Sequence, residues 1–220
     1  MQIQYKLHSF FDKFIQIGFP LICFIIPLAF YLKTYDSCFV KITLAELTGA
    51  IFPIVFLLKI IESNNYSRIF KDKEYNKIFF PVILVLLSGI LSYFLTPFKI
   101  QSFEELIRKI IYVSVFFVVA FEFNTLKRVE RLILFLILAT LISSLYGILQ
   151  AIGLDPFKWK GAFGPRIFST FGNPNFFSAY LVWTIPIMLS YLILSRKWAY
   201  LFVILISVIC VFLNGSKASW

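Results

Sequence analysis

Seven apolar runs, at approximately 14–32, 42–61, 78–95, 103–121, 129–152, 175–194 and 198–213, follow one another with only short polar breaks between them. A helix rises 1.5 Å per residue, so runs of this length match the roughly 30 Å hydrocarbon core of a bilayer. Lipid offers the backbone no outside hydrogen-bond partner, and the helix satisfies every amide within its own run. Composition rules out a soluble core: 60% of the 220 residues are hydrophobic and 15% charged, against about 45–50% and 25% in soluble domains. The reading is an all-α, polytopic transmembrane helix bundle of about seven spans, with residues 1–220 forming one transmembrane domain. Phe is in excess, with 28 copies, and lipid-facing surface is its expected destination.

The net charge of +10 is scattered in clusters between the runs, which suits lipid headgroups and argues against a nucleic-acid partner. With the N-terminus in the cytoplasm, twelve Lys and Arg fall inside and nine outside. The densest cluster, from Lys59 through Arg68 and Lys71 to Lys77, then lies inside, as the positive-inside rule favours. The segment 153–174 becomes an extracytoplasmic loop, and the chain end after the last run shares its side. Ser102, ahead of Glu104 and Glu105, is the expected N-cap of the fourth helix. Cys23, Cys38 and Cys210 lack paired or metal-like spacing and read as packing residues. No metal site, cofactor motif or P-loop is found.

The informative stretch is Gly164-Pro-Arg166-Ile-Phe-Ser-Thr-Phe-Gly-Asn-Pro-Asn175. Asn173 followed by Pro174 is a helix start, with a capping side chain and a first residue whose missing N–H costs nothing. Gly172 permits the sharp turn into it. Such a start presents amides and a positive dipole end, an anion site, and Arg166 lies in the same loop with Lys158 and Lys160. Asn214-Gly-Ser216-Lys217 closes the last run on the same face. The convergence fits a diphosphate or acidic ligand; the plain alternative is a well-capped helix with a snorkelling arginine.

Other candidates are weaker. His8, Glu122 and Glu130 read as solvated, and Glu46 as either functional or snorkelling. Ser88 with Ser92, and Ser143 with Gly147, are small residues spaced for helix contact. Asn65 and Asn214 head N-x-S triplets of little weight.

Arg166, Ser169-Thr-Phe-Gly-Asn-Pro-Asn175 and Ala179-Tyr-Leu181 together resemble the core of the O-antigen ligase and O-antigen polymerase family. Leu213-Asn-Gly-Ser-Lys-Ala-Ser-Trp220 is similar to a second element of that family, with Lys217 where Arg is usual. The resemblance implies a multi-pass glycosyltransferase of the bacterial inner membrane, acting in lipopolysaccharide biosynthesis or related assembly. It would move a glycan from undecaprenyl diphosphate to lipid A-core, a polysaccharide or a protein, without a cofactor or metal. It also implies that Arg166, Asn173, Pro174, Asn175, Ser216 and Lys217 bind the donor. The family's catalytic base would lie beyond residue 220, so this chain is expected to be an N-terminal fragment, inactive alone. A transporter or channel, or a non-catalytic membrane subunit, is the alternative.

Overall fold

The computed structural model describes residues 2–33, 38–63, 73–159 and 164–217. Arg68, Lys71, Asn65, Lys160 and Trp220, singled out above, lie outside the described residues. Among these there are seven α-helices and no strand. The helices are α1 (Gln2–Leu28), α2 (Cys38–Ser63), α3 (Lys73–Leu95), α4 (Lys99–Glu122), α5 (Leu126–Ala151), α6 (Pro174–Ser195) and α7 (Ala199–Asn214). A 3-10 turn, Ser169–Phe171, lies between α5 and α6. Residues Leu7–Leu28 of α1, together with α2, α5 and α6, are long and apolar enough to cross a membrane. The apolar part of α3 and the whole of α7 are shorter, and α4 carries Glu104, Glu105, Arg108 and Lys109 in its first half.

Helix starts differ from expectation where prolines decide them. Pro97 cannot continue α3, and α4 begins immediately after it, at Lys99, with Phe98 as a cap that makes no side-chain bond. Ser102 is therefore inside the helix, its amide bonded to the Phe98 carbonyl, and is not the N-cap. α1 contains Pro20 and Pro27 and ends one residue after the second.

The chain divides into two compact units, residues 1–19 with 46–128, and residues 20–45 with 129–220. In the first, helices meet through aromatic rings. Phe19 packs edge-on against Phe52 with centroids 5.2 Å apart, and Phe79 against Phe117 at 5.0 Å. Phe19, Phe52, Phe56, Phe79 and Phe123 are all buried, so part of the Phe excess builds the interior instead of covering a lipid-facing surface. Gly49 and Gly89 let α4 approach: an added Cβ would stand 2.6 Å from the Ile111 side chain and 2.8 Å from Lys109. Ser88 and Ser92, expected as contact residues, are exposed; the glycine between them makes the contact.

Charge closes one end of this unit. Lys59 Nζ donates to Asp12 Oδ1 at 2.6 Å and to both oxygens of Glu122 at 2.8 and 2.7 Å. Glu122 is 4% exposed, which corrects the expectation that it is solvated: its charge tolerates burial because an ammonium and the Arg128 side chain stand against it. Glu46 pairs with Arg108 Nε at 2.8 Å in a half-exposed setting.

In the second unit α5, α6 and α7 pack through small residues. Gly147 admits Phe177 and Ile167, whose side chains would stand 3.1 and 3.3 Å from an added Cβ, closer than ordinary contact, as the Ser143/Gly147 spacing anticipates. Ser144 and Ser207 hydroxyls meet at 3.2 Å across α5 and α7. Glu130, read as solvated, hydrogen-bonds Tyr191 of α6. Cys38 and Cys210 are buried and none of the three cysteines forms a disulfide, in keeping with packing roles.

Candidate functional site

The turn that carries the candidate residues is held by side chains clamped on its backbone. Gln150, near the end of α5, accepts through Oε1 from the amides of Phe168 and Ser169 at 3.1 and 2.7 Å. Ser169 Oγ donates to the Ser143 carbonyl at 2.6 Å, and Thr170 Oγ1 to the Pro27 carbonyl at 2.7 Å. The Cys38 thiol donates to the Phe171 carbonyl at 2.7 Å. Lys41, buried at the start of α2, donates to the Pro27 and Ala29 carbonyls at 2.7 and 2.5 Å and lies 4.6 Å from the centre of the Phe171 ring. Those carbonyls lie at the C-terminal end of α1, where the helix dipole favours a cation.

The turn then leads into α6 as the sequence anticipates. Gly172 has a φ of 64°, in the left-handed region where Gly bears no steric cost. Asn173 is extended and its side chain accepts from the Asn175 amide, with Pro174 at the first helical position. This geometry also limits the anion site read from the sequence. Proline removes one of the free amides and Asn173 occupies another, so attraction for an anion rests more on the dipole end and on Arg166 than on open N–H groups.

Arg166 meets both helix ends. Its Nε donates to the carbonyl of Asn214, the last residue of α7, at 2.9 Å, and its Nη2 to Asn175 Oδ1 at 3.3 Å. Ser216 Oγ donates to the same Asn175 oxygen at 3.1 Å. Asn214 is fully buried and its amide nitrogen donates to the carbonyls of Ile167 and Pro174, both at 2.7 Å. That burial removes it as a glycan acceptor and makes it the pin between α7 and the loop. Gly215, with a φ of 65°, ends α7 beside the Arg166 side chain.

The structure thus brings together Arg166, Asn173, Pro174, Asn175 and Ser216. Lys217 is exposed and, among the described residues, hydrogen-bonds to none of them; Lys158 is likewise exposed. Arg166 Nη1 keeps its donors free of described protein partners, so the half-buried guanidinium can take an anionic oxygen without leaving its own supports. Among the described residues the groups around Arg166 are a guanidinium, amides and a hydroxyl, which suit binding and charge stabilisation.

Gln150, Lys41 and Asp155 escaped the sequence reading, and Asn214 was noted there as the end of the last run but not as the residue that ties α7 to the loop. Asp155 accepts from the Tyr146 hydroxyl at 2.7 Å and from Gln150 Nε2 at 2.9 Å, so Gln150 links the two halves of the loop. A polar residue inside an apolar run is the signal that marks Gln150 in advance; Lys41 stands just before the second run and carries no such mark. Among the described residues no group of His, Cys, Asp and Glu is arranged to hold a metal ion. Comparison with protein-family models, curated proteins and solved structures gives no match.

Proposed function

We propose that the loop and helix ends around Arg166 bind the diphosphate of a lipid-linked glycan at the outer face of a bacterial inner membrane. The reading takes the chain as multi-pass, with about seven spans and a cytoplasmic N-terminus. The reaction served is transfer of the glycan from undecaprenyl diphosphate to an acceptor hydroxyl on lipid A-core, a polysaccharide or a protein. The acceptor oxygen attacks the anomeric carbon, the sugar–phosphate bond breaks, and its electron pair leaves on the diphosphate. A fixed guanidinium stabilises that developing charge, and the acceptor's proton passes to a base that the residues around Arg166 do not supply.

One observation carries this: Arg166 is held at 2.9 Å by the end of α7 and at 3.3 Å by the start of α6, with Nη1 donors that no described residue takes. An arginine that merely reaches for headgroups needs no such fixing, whereas a planar fork held in place suits a diphosphate.

The test uses the full chain in nanodiscs, titrated with undecaprenyl diphosphate and undecaprenyl monophosphate. Arg166→Ala is expected to weaken diphosphate binding by about tenfold or more, in line with loss of a charge-assisted contact, and to abolish preference over the monophosphate. Equal binding of both lipids by the unaltered chain, or an unchanged affinity in Arg166→Ala, would sink the reading. So would labelling of Arg166→Cys by a membrane-impermeant maleimide from the cytoplasmic side alone.

A further inference from the structure

Three residues, Arg196-Lys197-Trp198, join α6 to α7 at the end of α6 away from Asn173 and Asn175. Arg196 closes α6 in the left-handed region, with a φ of 53° and its amide on the Leu192 carbonyl at 2.8 Å. Glycine is the usual residue there, since a Cβ crowds the backbone in that conformation. The helix end therefore gives no reason for an arginine, and a non-glycine residue held in this region directs attention to its side chain.

That side chain is free to act. Arg196 and Lys197 are both exposed, and neither makes a side-chain hydrogen bond or ion pair with a described residue. Glu130, which reaches α6 from the start of α5, is bonded to Tyr191. The turn thus carries two adjacent positive charges that no described carboxylate balances. Beside it opens a depression of about 470 Å³ walled by Leu192, Ile193, Arg196 and Trp198. Its apolar walls are open to the surroundings: Trp198 is 75% exposed and Ile193 69%. A guanidinium and an indole thus stand at the mouth of a depression whose other walls are aliphatic.

We propose that this depression binds one anionic phospholipid, with its phosphate on the Arg196 guanidinium, Lys197 adding charge, and the start of an acyl chain against Leu192, Ile193 and the Trp198 ring. Two unbalanced cations favour a headgroup of net negative charge, because the ammonium of a zwitterionic headgroup would meet no carboxylate here. The planar fork of arginine takes two phosphate oxygens at once. Leu192 and Ile193 supply an apolar wall that a water-soluble phosphate would leave uncovered, and an exposed Trp beside charged residues is the usual furnishing of a membrane–water boundary.

The experiment uses the full chain, purified in detergent, delipidated, and offered equal amounts of phosphatidylglycerol, phosphatidylethanolamine and phosphatidylcholine with matched acyl chains. Bound lipid is counted by native mass spectrometry. Phosphatidylglycerol is expected to exceed the other two by about tenfold. Arg196→Gly should bring its retention down to their level while the lipid-free thermal midpoint holds or rises, because glycine adopts the left-handed backbone without strain. Arg196→Asn, with a side chain also tolerant of that backbone, should show the same loss, so that a folding defect in one variant does not stand in for loss of the site. Lys13→Gln removes one exposed charge from α1 and should leave retention unchanged. Equal retention of the three lipids, a preference for a zwitterionic one, or no retained lipid overturns the proposal. So does full retention in a folded Arg196 variant, or a loss in Lys13→Gln as large as theirs, which would show that the lipid responds to total charge and not to this turn.

Discussion

The two units secure their polar groups in different ways. In the first, helices are joined by charge: Lys59 of α2 binds Asp12 of α1 and Glu122 of α4, and Arg108 of α4 binds Glu46 of α2. In the second, side chains are clamped on backbone carbonyls and amides: Asn214 on Ile167 and Pro174, Gln150 on Phe168 and Ser169, Lys41 on the end of α1. Charge is long-ranged and tolerant of position, so it can tie rods together without fixing a loop. Hydrogen bonds to named backbone atoms specify conformation atom by atom. A turn that must hold Arg166 and Asn175 in register is built with the second device, which is what a binding loop requires.

This contrast can be broken most sharply at Lys59. Lys59→Ala leaves Glu122 buried without its ammonium and is expected to cost about 3–5 kcal/mol, read as a fall in thermal midpoint of the purified chain. Pairing Lys59→Met with Glu122→Gln should recover most of that loss, because neither charge is then stranded. A small effect from Lys59→Ala alone would show that charge does not hold this unit. Next comes Asn214→Ala, which deprives two carbonyls of their donor and should cost about 2–3 kcal/mol. Its second readout is faster protease cleavage within 153–174, since the pin between α7 and the loop is gone; unchanged cleavage would deny that pin. The smallest effect is expected for Arg108→Gln. Its pair with Glu46 is half exposed, and pairs open to solvent contribute little, so the midpoint should stay within the scatter of the measurement.

Much of the helical pattern and one end of the candidate site were legible in the sequence. Asn173-Pro174 and Gly172 form the cap and the left-handed turn that their chemistry demands, because capping depends on neighbours a few residues away. The contact at Gly147 was legible for the same reason, since a missing side chain leaves room whatever packs there. Ser102 misled because a proline five residues earlier, at Pro97, decided the helix start first. Glu122 misled because a carboxylate beside a turn is ordinarily wet, and only a lysine 63 residues away in sequence makes its burial tolerable. Asn214 looked like part of a short surface triplet; its burial under Arg166 depends on α7 ending against the loop.

What the sequence determined by itself is that the chain is a series of apolar helices, and how one of them, α6, starts. In an apolar run the helix satisfies each amide from four residues away, so no distant partner is consulted. Which polar side chains are buried, and against what, was decided only by the tertiary structure. Lys59 with Glu122, Lys41 with the end of α1, and Arg166 between α6 and α7 are each joined across long separations in the chain. Such pairings exist only where helix packing brings the groups within 3 or 4 Å, and no spacing along the chain encodes that approach.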